Sequence, residues 1–259
     1  MPGRTVTIEG IGFWTDGLPS WQAARDFVAG GALVADAPRK PSPRLLAPNE
    51  RRRAPETVAV ALEVALAACT AAGRDPASLP SVFASTHGDL AITDYMCATL
   101  ASDPLTVSPT KFHNSVHNAA AGYWTIGSGC MHASTALSAF GATFAEGLVE
   151  ALAQLADGAE TVLLVGYDGA AVGPLEATSH SRGLLGGALV LSRAPGNLRL
   201  RATLVDGSPP PATGALSRHA AGNAMAPMLP LFEALAGDGD VVVLDAGPGR
   251  MLRVEIAHG

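Results

Sequence analysis

Residues 134–168, "STALSAFGATFAEGLVEALAQLADGAETVLLVGYD", decide the fold. The β-favouring run "STALSAF" meets Gly141, the helical run "ATFAEGLVEALAQLADG" follows, and then comes "ETVLLVGYD". That last run has the unbroken apolarity of a parallel strand buried on both faces. Strand, sharp turn, helix and strand make the repeating unit of an α/β layer. The turn also raises a chemical question. A strand that bends into a helix holds one residue beside free backbone N–H groups that stabilise an anion, and enzymes place Ser or Cys there. Here the elbow residue is glycine, so the turn has no nucleophilic atom.

Working outward, "TVTIEGIGFW" reads as a strand with a tight glycine exit, followed by a helix at "LPSWQAARDFVAGG". Residues 35–53 form a Pro/Arg loop. Its cluster "NERRRAPE" is short and flanked by acids, as in a solvated loop and helix start. A long helix spans Pro55 to Ala72, "SVFAST" is a buried strand, and "HGDLAITDYMCATLAS" is a helix. "SPTKFHNSVHNAAAGYWTIGSG" passes from loop into a small-residue helix. "GGALVLSR" and "LRLRATLVDG" are expected to pair as strands. Beyond the connector "GSPPPATGA" lie a helix near 224–236 and "DVVVLDAGPGRMLRVEI", two strands joined by a Gly/Pro turn.

Composition narrows the function. With 259 residues, 48% hydrophobic and 15% charged, the chain can bury a substantial core. A net charge of −6 argues against binding nucleic acid or an anionic membrane. No apolar run reaches the ~20 residues of a membrane span, and no signal peptide precedes the first strand. The three cysteines, Cys69, Cys97 and Cys130, make no CxxC pair, which points to reduced thiols in a cytoplasm. The seven histidines make no metal-binding cluster, so no metal is expected. "GIGFWTDG" departs from dinucleotide-binding spacing, and no Walker motif is present, so no cofactor is expected either. Cys130 and His117 could form a thiolate pair. However, Cys130 stands eleven positions before Gly141 rather than on the elbow.

Taken together, these segments resemble the β-ketoacyl synthases, which have a thiolase-like fold. The opening "TVTIEGIGFWTDG" is similar to their first strand and glycine turn. "SPTKFHNSVHNAAAGYWTIGSG" resembles the loop and helix at their dimer interface, and residues 133–168 resemble, without a gap, their strand, nucleophile elbow, helix and next strand. The resemblance implies a layered α/β/α/β/α fold, with a complete first half over residues 1–207 and a shortened second half over 208–259 packed in the same domain. It places Gly141 where the family keeps its acyl-accepting Cys. "AAG" at 220–222 looks like a remnant of a catalytic segment, which puts Leu216 at a catalytic His position, with His219 displaced from it by three residues.

The resemblance therefore implies a catalytically inactive subunit of the chain-length-factor kind. It would pair with a full-length β-ketoacyl synthase, reach acyl carrier protein through that partner, and shape the acyl tunnel during aryl-polyene or related polyene (type II polyketide) extension. Tunnel-lining candidates are Ile92, Tyr95, Met96, Phe112 and Phe140. Interface candidates are His117, Asn118, Ala133, Ser134, Thr135, Leu137 and Phe140, on a strand running from 133 to 140. Two rival readings stay open: an independent acyl hydrolase or transferase using Cys130 with His117, and a homodimeric acyl-binding scaffold.

Overall fold

A computed structural model describes residues 5–259. In chain order the elements are β1 (Val6–Thr15), α1 (Trp21–Val28), α2 (Pro48–Arg53), α3 (Glu56–Ala72), β2 (Ser81–Ala84), α4 (Leu90–Ser102), α5 (Pro109–His113), α6 (Ala119–Ser128) and β3 (Ser134–Leu137). They continue as α7 (Thr143–Asp157), β4 (Thr161–Asp168), β5 (Leu185–Ser192), β6 (Leu198–Asp206), α8 (Ala215–His219), α9 (Leu229–Ala236), β7 (Val241–Asp245) and β8 (Arg250–His258).

The strands form one eight-stranded sheet in the order β3-β2-β4-β5-β1-β6-β8-β7. β3, β2 and β4 are parallel, and β5 runs antiparallel to both β4 and β1. Only two residue pairs, Val6 with Leu200 and Thr7 with Arg199, stitch β1 to β6. The sheet thus has a five-stranded wing and a three-stranded wing joined by a narrow seam.

Two cores explain the layering. On one face of the larger wing, α3 and α6 bury Leu62, Val64 and Trp124 against Phe83, Tyr167 and Val190. The other core draws Leu164 and Leu189 from the larger wing and Leu252 and Val254 from the smaller, with Phe144 of α7 and Phe232 of α9 in the same cluster. Helices are therefore packed against both wings at once, which is the thiolase-like arrangement. The far face of the small wing is charged: Arg201 lies opposite Glu255, and Thr203 opposite Arg253.

Glycine makes the close approaches possible. A Cβ on Gly12 of β1 would lie 2.0 Å from the Val64 carbonyl oxygen of α3. The glycines of "GIG" thus admit a helix against the strand, rather than serving the strand exit expected for them. On β5, a Cβ at Gly187 would meet the Phe232 ring at 2.5 Å.

Several expectations are corrected. β5 and β6 do not pair, because β1 lies between them. The Pro/Arg loop contains the short helix α2, started by Pro48 at its first turn. The helix expected near 224–236 begins at Leu229, after a 3-10 turn that contains Pro227. The strand expected over 133–140 has only four residues, Ser134–Leu137, because the chain leaves β2 before the elbow.

Candidate functional site

The elbow is built by hydrogen bonds rather than by glycine. After β3, the Ser138 hydroxyl donates to the Thr86 carbonyl at 2.9 Å. The buried Thr143 hydroxyl accepts from the Ala139 N–H at 2.9 Å and donates to the Phe140 carbonyl at 2.6 Å. The strained residue is Phe140, with φ of 51°, and not Gly141. A side-chain-bearing residue in that region costs about 1–3 kcal/mol, and the bracing by Thr143 holds it there. Phe140 is 81% exposed.

Gly141 needs no glycine for its backbone. A Cβ there would meet a single group, the Asp245 Oδ2 at 3.2 Å. Asp245 closes β7, and its Oδ1 accepts from the Gly247 N–H at 2.9 Å. Gly141, to which the resemblance gives the nucleophile position, thus faces a carboxylate. That disfavours both a thiolate and an oxyanion beside it. Sequence reasoning missed Asp245, since 104 positions separate it from the elbow and only the β7–β8 hairpin brings it back.

A second polar hub lies at the C-terminal end of β4. Asp168, 1% exposed, accepts from the Ser85 hydroxyl at 2.7 Å, the Thr86 N–H at 2.9 Å and the His87 N–H at 3.2 Å. Burial pushes its carboxyl above the usual range, while these three donors pull the other way. The Ser85 hydroxyl also accepts from the Gly88 N–H at 2.9 Å, so the β2–α4 loop is tied down residue by residue. At the end of that loop, Asp89 caps α4 by accepting from the Ile92 N–H at 2.8 Å, and it accepts from the Thr57 hydroxyl at 2.6 Å.

The Cys130–His117 pair does not form. His117 Nε2 donates to the Ser85 carbonyl at 2.8 Å, and the buried Cys130 thiol donates to the Leu79 carbonyl at 3.3 Å. The two residues flank opposite ends of α6, whose ten residues rise about 15 Å. Cys69 is equally inert, since burial pushes its thiol up to about 12. Leu216, where the resemblance puts a His, is 1% exposed and belongs to the core shared by the two wings. The displaced His219 hydrogen-bonds the Asp16 carbonyl at 2.8 Å.

The interface candidates converge more than the tunnel candidates do. His117, Asn118, Ser134 and Ala136 line one open groove of about 470 Å³ between α6 and β3. On the other face of β3, Thr135 meets α7 through Gln154 Nε2 at 3.3 Å, and Leu137 packs against the core. β3 is one of the two edge strands of the sheet, β7 being the other. Ala133, just before it, is exposed, and its carbonyl accepts from Ser81 N–H at 3.0 Å. Met131 and Phe140 bracket the strand, 95% and 81% exposed, and the exposed Ile126 lies on α6 beside it.

Of the tunnel candidates, Ile92 is buried and lines a cleft of about 540 Å³. Tyr95 and Met96 are half-buried; the Tyr95 hydroxyl accepts from the Ser108 N–H at 3.2 Å, and Lys111 Nζ sits 5.6 Å from its ring centre. Phe112 and Phe140 face solvent in the isolated chain.

A mixed α/β sheet with an elbow opening α7 defines the class, and the sequence confirms it. The chain belongs to the β-ketoacyl synthase family: the family model described as "Beta-ketoacyl synthase, N-terminal domain" matches residues 21–226. Among solved structures, it resembles a chain from the complex of a ketosynthase (ApeO) with its chain length factor (ApeC) from Xenorhabdus doucetiae. There the identity is 21% and the TM-score 0.76, covering 97% of this chain and 99% of that one. It also resembles a chain of the ishigamide ketosynthase/chain length factor, at 15% identity and TM-score 0.72, over 98% of this chain and 99% of that one. A β-ketoacyl synthase from Burkholderia phymatum STM815 is similar at 12% identity and TM-score 0.62, over 93% of this chain and 71% of that one. No curated protein matches the chain. No helix among the described residues is long and apolar enough to cross a membrane.

Proposed function

We propose that this chain is a non-catalytic subunit of the chain-length-factor kind, pairing with a full-length, Cys-bearing β-ketoacyl synthase during extension of a polyene chain on acyl carrier protein. The observation that carries this reading is the state of the elbow and of its neighbouring edge. The turn is retained and braced, its nucleophile position is occupied by Gly141 facing Asp245, and beside it β3 leaves a free sheet edge. An unpaired edge flanked by exposed Met131 and Phe140 is an aggregation liability unless another chain covers it.

In this reading β3 and the α6 groove with His117 and Asn118 meet the synthase. Phe112 and Phe140, exposed in the isolated chain, then join Ile92, Tyr95 and Met96 in walling the partner's acyl tunnel. The fold likeness to chains from ketosynthase/chain length factor complexes supports it. The carrier protein is engaged through the synthase. The polyene substrate rests on the resemblance of "SVHNAAAGYW" to partners from such pathways. Co-expression with a Cys-bearing ketosynthase, native mass spectrometry and product analysis test the proposal. A 1:1 complex whose product length changes with Tyr95→Ala or Met96→Ala is expected. A well-behaved monomer that ignores the synthase would overturn it.

A further inference from the structure

At the sheet's second edge, the backbone of β7 is open. At either end of the β7–β8 pairing, the Ile256 N–H donates to the Asp240 carbonyl at 2.7 Å and the Ala246 N–H to the Arg250 carbonyl at 3.2 Å. Backbone groups alternate in direction along a strand, so the even-numbered residues of β7 bond to β8 and the odd-numbered ones face away. The N–H and C=O groups of Val241 and Val243 therefore point beyond the edge. Among the described residues, no hydrogen bond reaches them.

Natural edge strands are blunted by Lys, Pro or a bulge. The run Val241-Val242-Val243 has none of these: it pairs with β8 in unbroken register, and all three residues are β-branched. Val241 is 51% exposed, and Val242 and Val243 are half-buried. Such an edge is a template for a further strand.

Charge selects the occupant. On the outward face of the small wing, Glu255 lies opposite Val241 and Arg253 opposite Val243. Across a two-fold axis, three antiparallel registers of β7 on a second β7 pair valine with valine. Centred on Val241, the register puts Glu255 of both copies in one row. Centred on Val243, it puts Asp245 of one copy in the row of Glu255 of the other. Centred on Val242, each row runs Glu255, Val241, then Val243 and Arg253 of the second copy, so opposite charges flank every valine pair. Asp245 then lies opposite Gly239 of the second copy, with no like charge facing it. That register also joins Val241 to Val243 of the other copy twice, which satisfies all the open valine groups.

We propose that β7 pairs antiparallel with β7 of a second copy of this chain, centred on Val242, so that two eight-stranded sheets become one of sixteen strands. The contact is isologous, each copy presenting the same edge. It stands on β7 alone and does not depend on the synthase pairing assigned to β3.

Disulfide trapping in the full-length chain tests the register. Cys97→Ser removes the exposed thiol and leaves the buried Cys69 and Cys130. In that background Val242→Cys places two thiols on the axis, where Cα atoms of a non-hydrogen-bonded pair are about 4.5 Å apart and within disulfide range. Val241→Cys places them on a diagonal about 7–8 Å apart, beyond that range. Mild oxidation should link the Val242→Cys chain to itself at least about fivefold more than the Val241→Cys chain on a non-reducing gel. Sedimentation of the unaltered chain should show a monomer–dimer equilibrium. Its dissociation constant should rise about tenfold or more with Val241→Lys, an exposed substitution that leaves the circular dichroism unchanged. Equal linkage at 241 and 242, linkage at neither, or self-association that survives Val241→Lys and is lost with Ala136→Lys on β3, would overturn the proposal.

Discussion

Replacing Asp168 by Ala tests whether the β4 terminus holds the loop that carries α4. The substitution leaves the Thr86 and His87 N–H groups without their acceptor. The Ser85 hydroxyl also loses its acceptor, although it still accepts from Gly88 N–H. Each buried donor left unmade costs about 1–3 kcal/mol. Relief of a buried carboxylate offsets part of that, giving a net loss of about 2–5 kcal/mol. For a chain of this size that lowers the melting temperature by about 5–15 °C. The pH dependence has a fixed sign. Burial raises the folded carboxyl's pKa above its unfolded value, so the native chain binds the proton more tightly. Stability from this group is fully present in acid below the unfolded value, about 4. It is lost as pH climbs through the raised folded value. The melting-temperature gap between wild type and variant should therefore be wider in acid than in base. Thermal melts across pH, with hydrogen exchange at Thr86, His87 and the first turn of α4, read both effects. A gap under about 1 °C with unchanged exchange would refute the reasoning.

Gly141→Cys should fold, because only one side-chain oxygen, Asp245 Oδ2, comes near the new atom, yet the thiol should alkylate slowly and elongate no malonyl units by itself. Autonomous condensation by that variant, assayed by product mass, would count against the non-catalytic reading. Phe140→Glu and Met131→Glu, on either side of β3, should each weaken recovery of the heterodimer by roughly thirtyfold if they are anchors at the partner face, measured by titrated pull-down. Gly187→Ala should cost about 1–3 kcal/mol by overpacking against Phe232. Phe232→Leu in the same chain should return part of that loss, and urea midpoints of the two single variants and the double variant reveal the coupling.

Much of the order of elements was legible because burial leaves a local trace. All eight residues of β4 are buried, and the apolar run "TVLLVGYD" announces it. The 17 residues of α3 and the Gly/Pro hairpin between β7 and β8 are equally local signals. The candidate site was legible only in part. The turn before α7 could be read, but the location of its strain could not. Phe140 takes the positive φ because the buried Thr143 braces the turn, while Gly141 keeps an ordinary backbone.

The sequence by itself determined that this is an α/β chain of ketosynthase kind with a glycine in the turn before α7, since those facts lie in neighbouring residues and their periods. Only the tertiary structure decided which strands meet and what faces what. β1 lies between β5 and β6, Asp245 stands over Gly141, and Cys130 and His117 lie at opposite ends of a helix. The physical reason is that these contacts join residues tens of positions apart, and their placement follows from how both wings of the sheet close on a shared core.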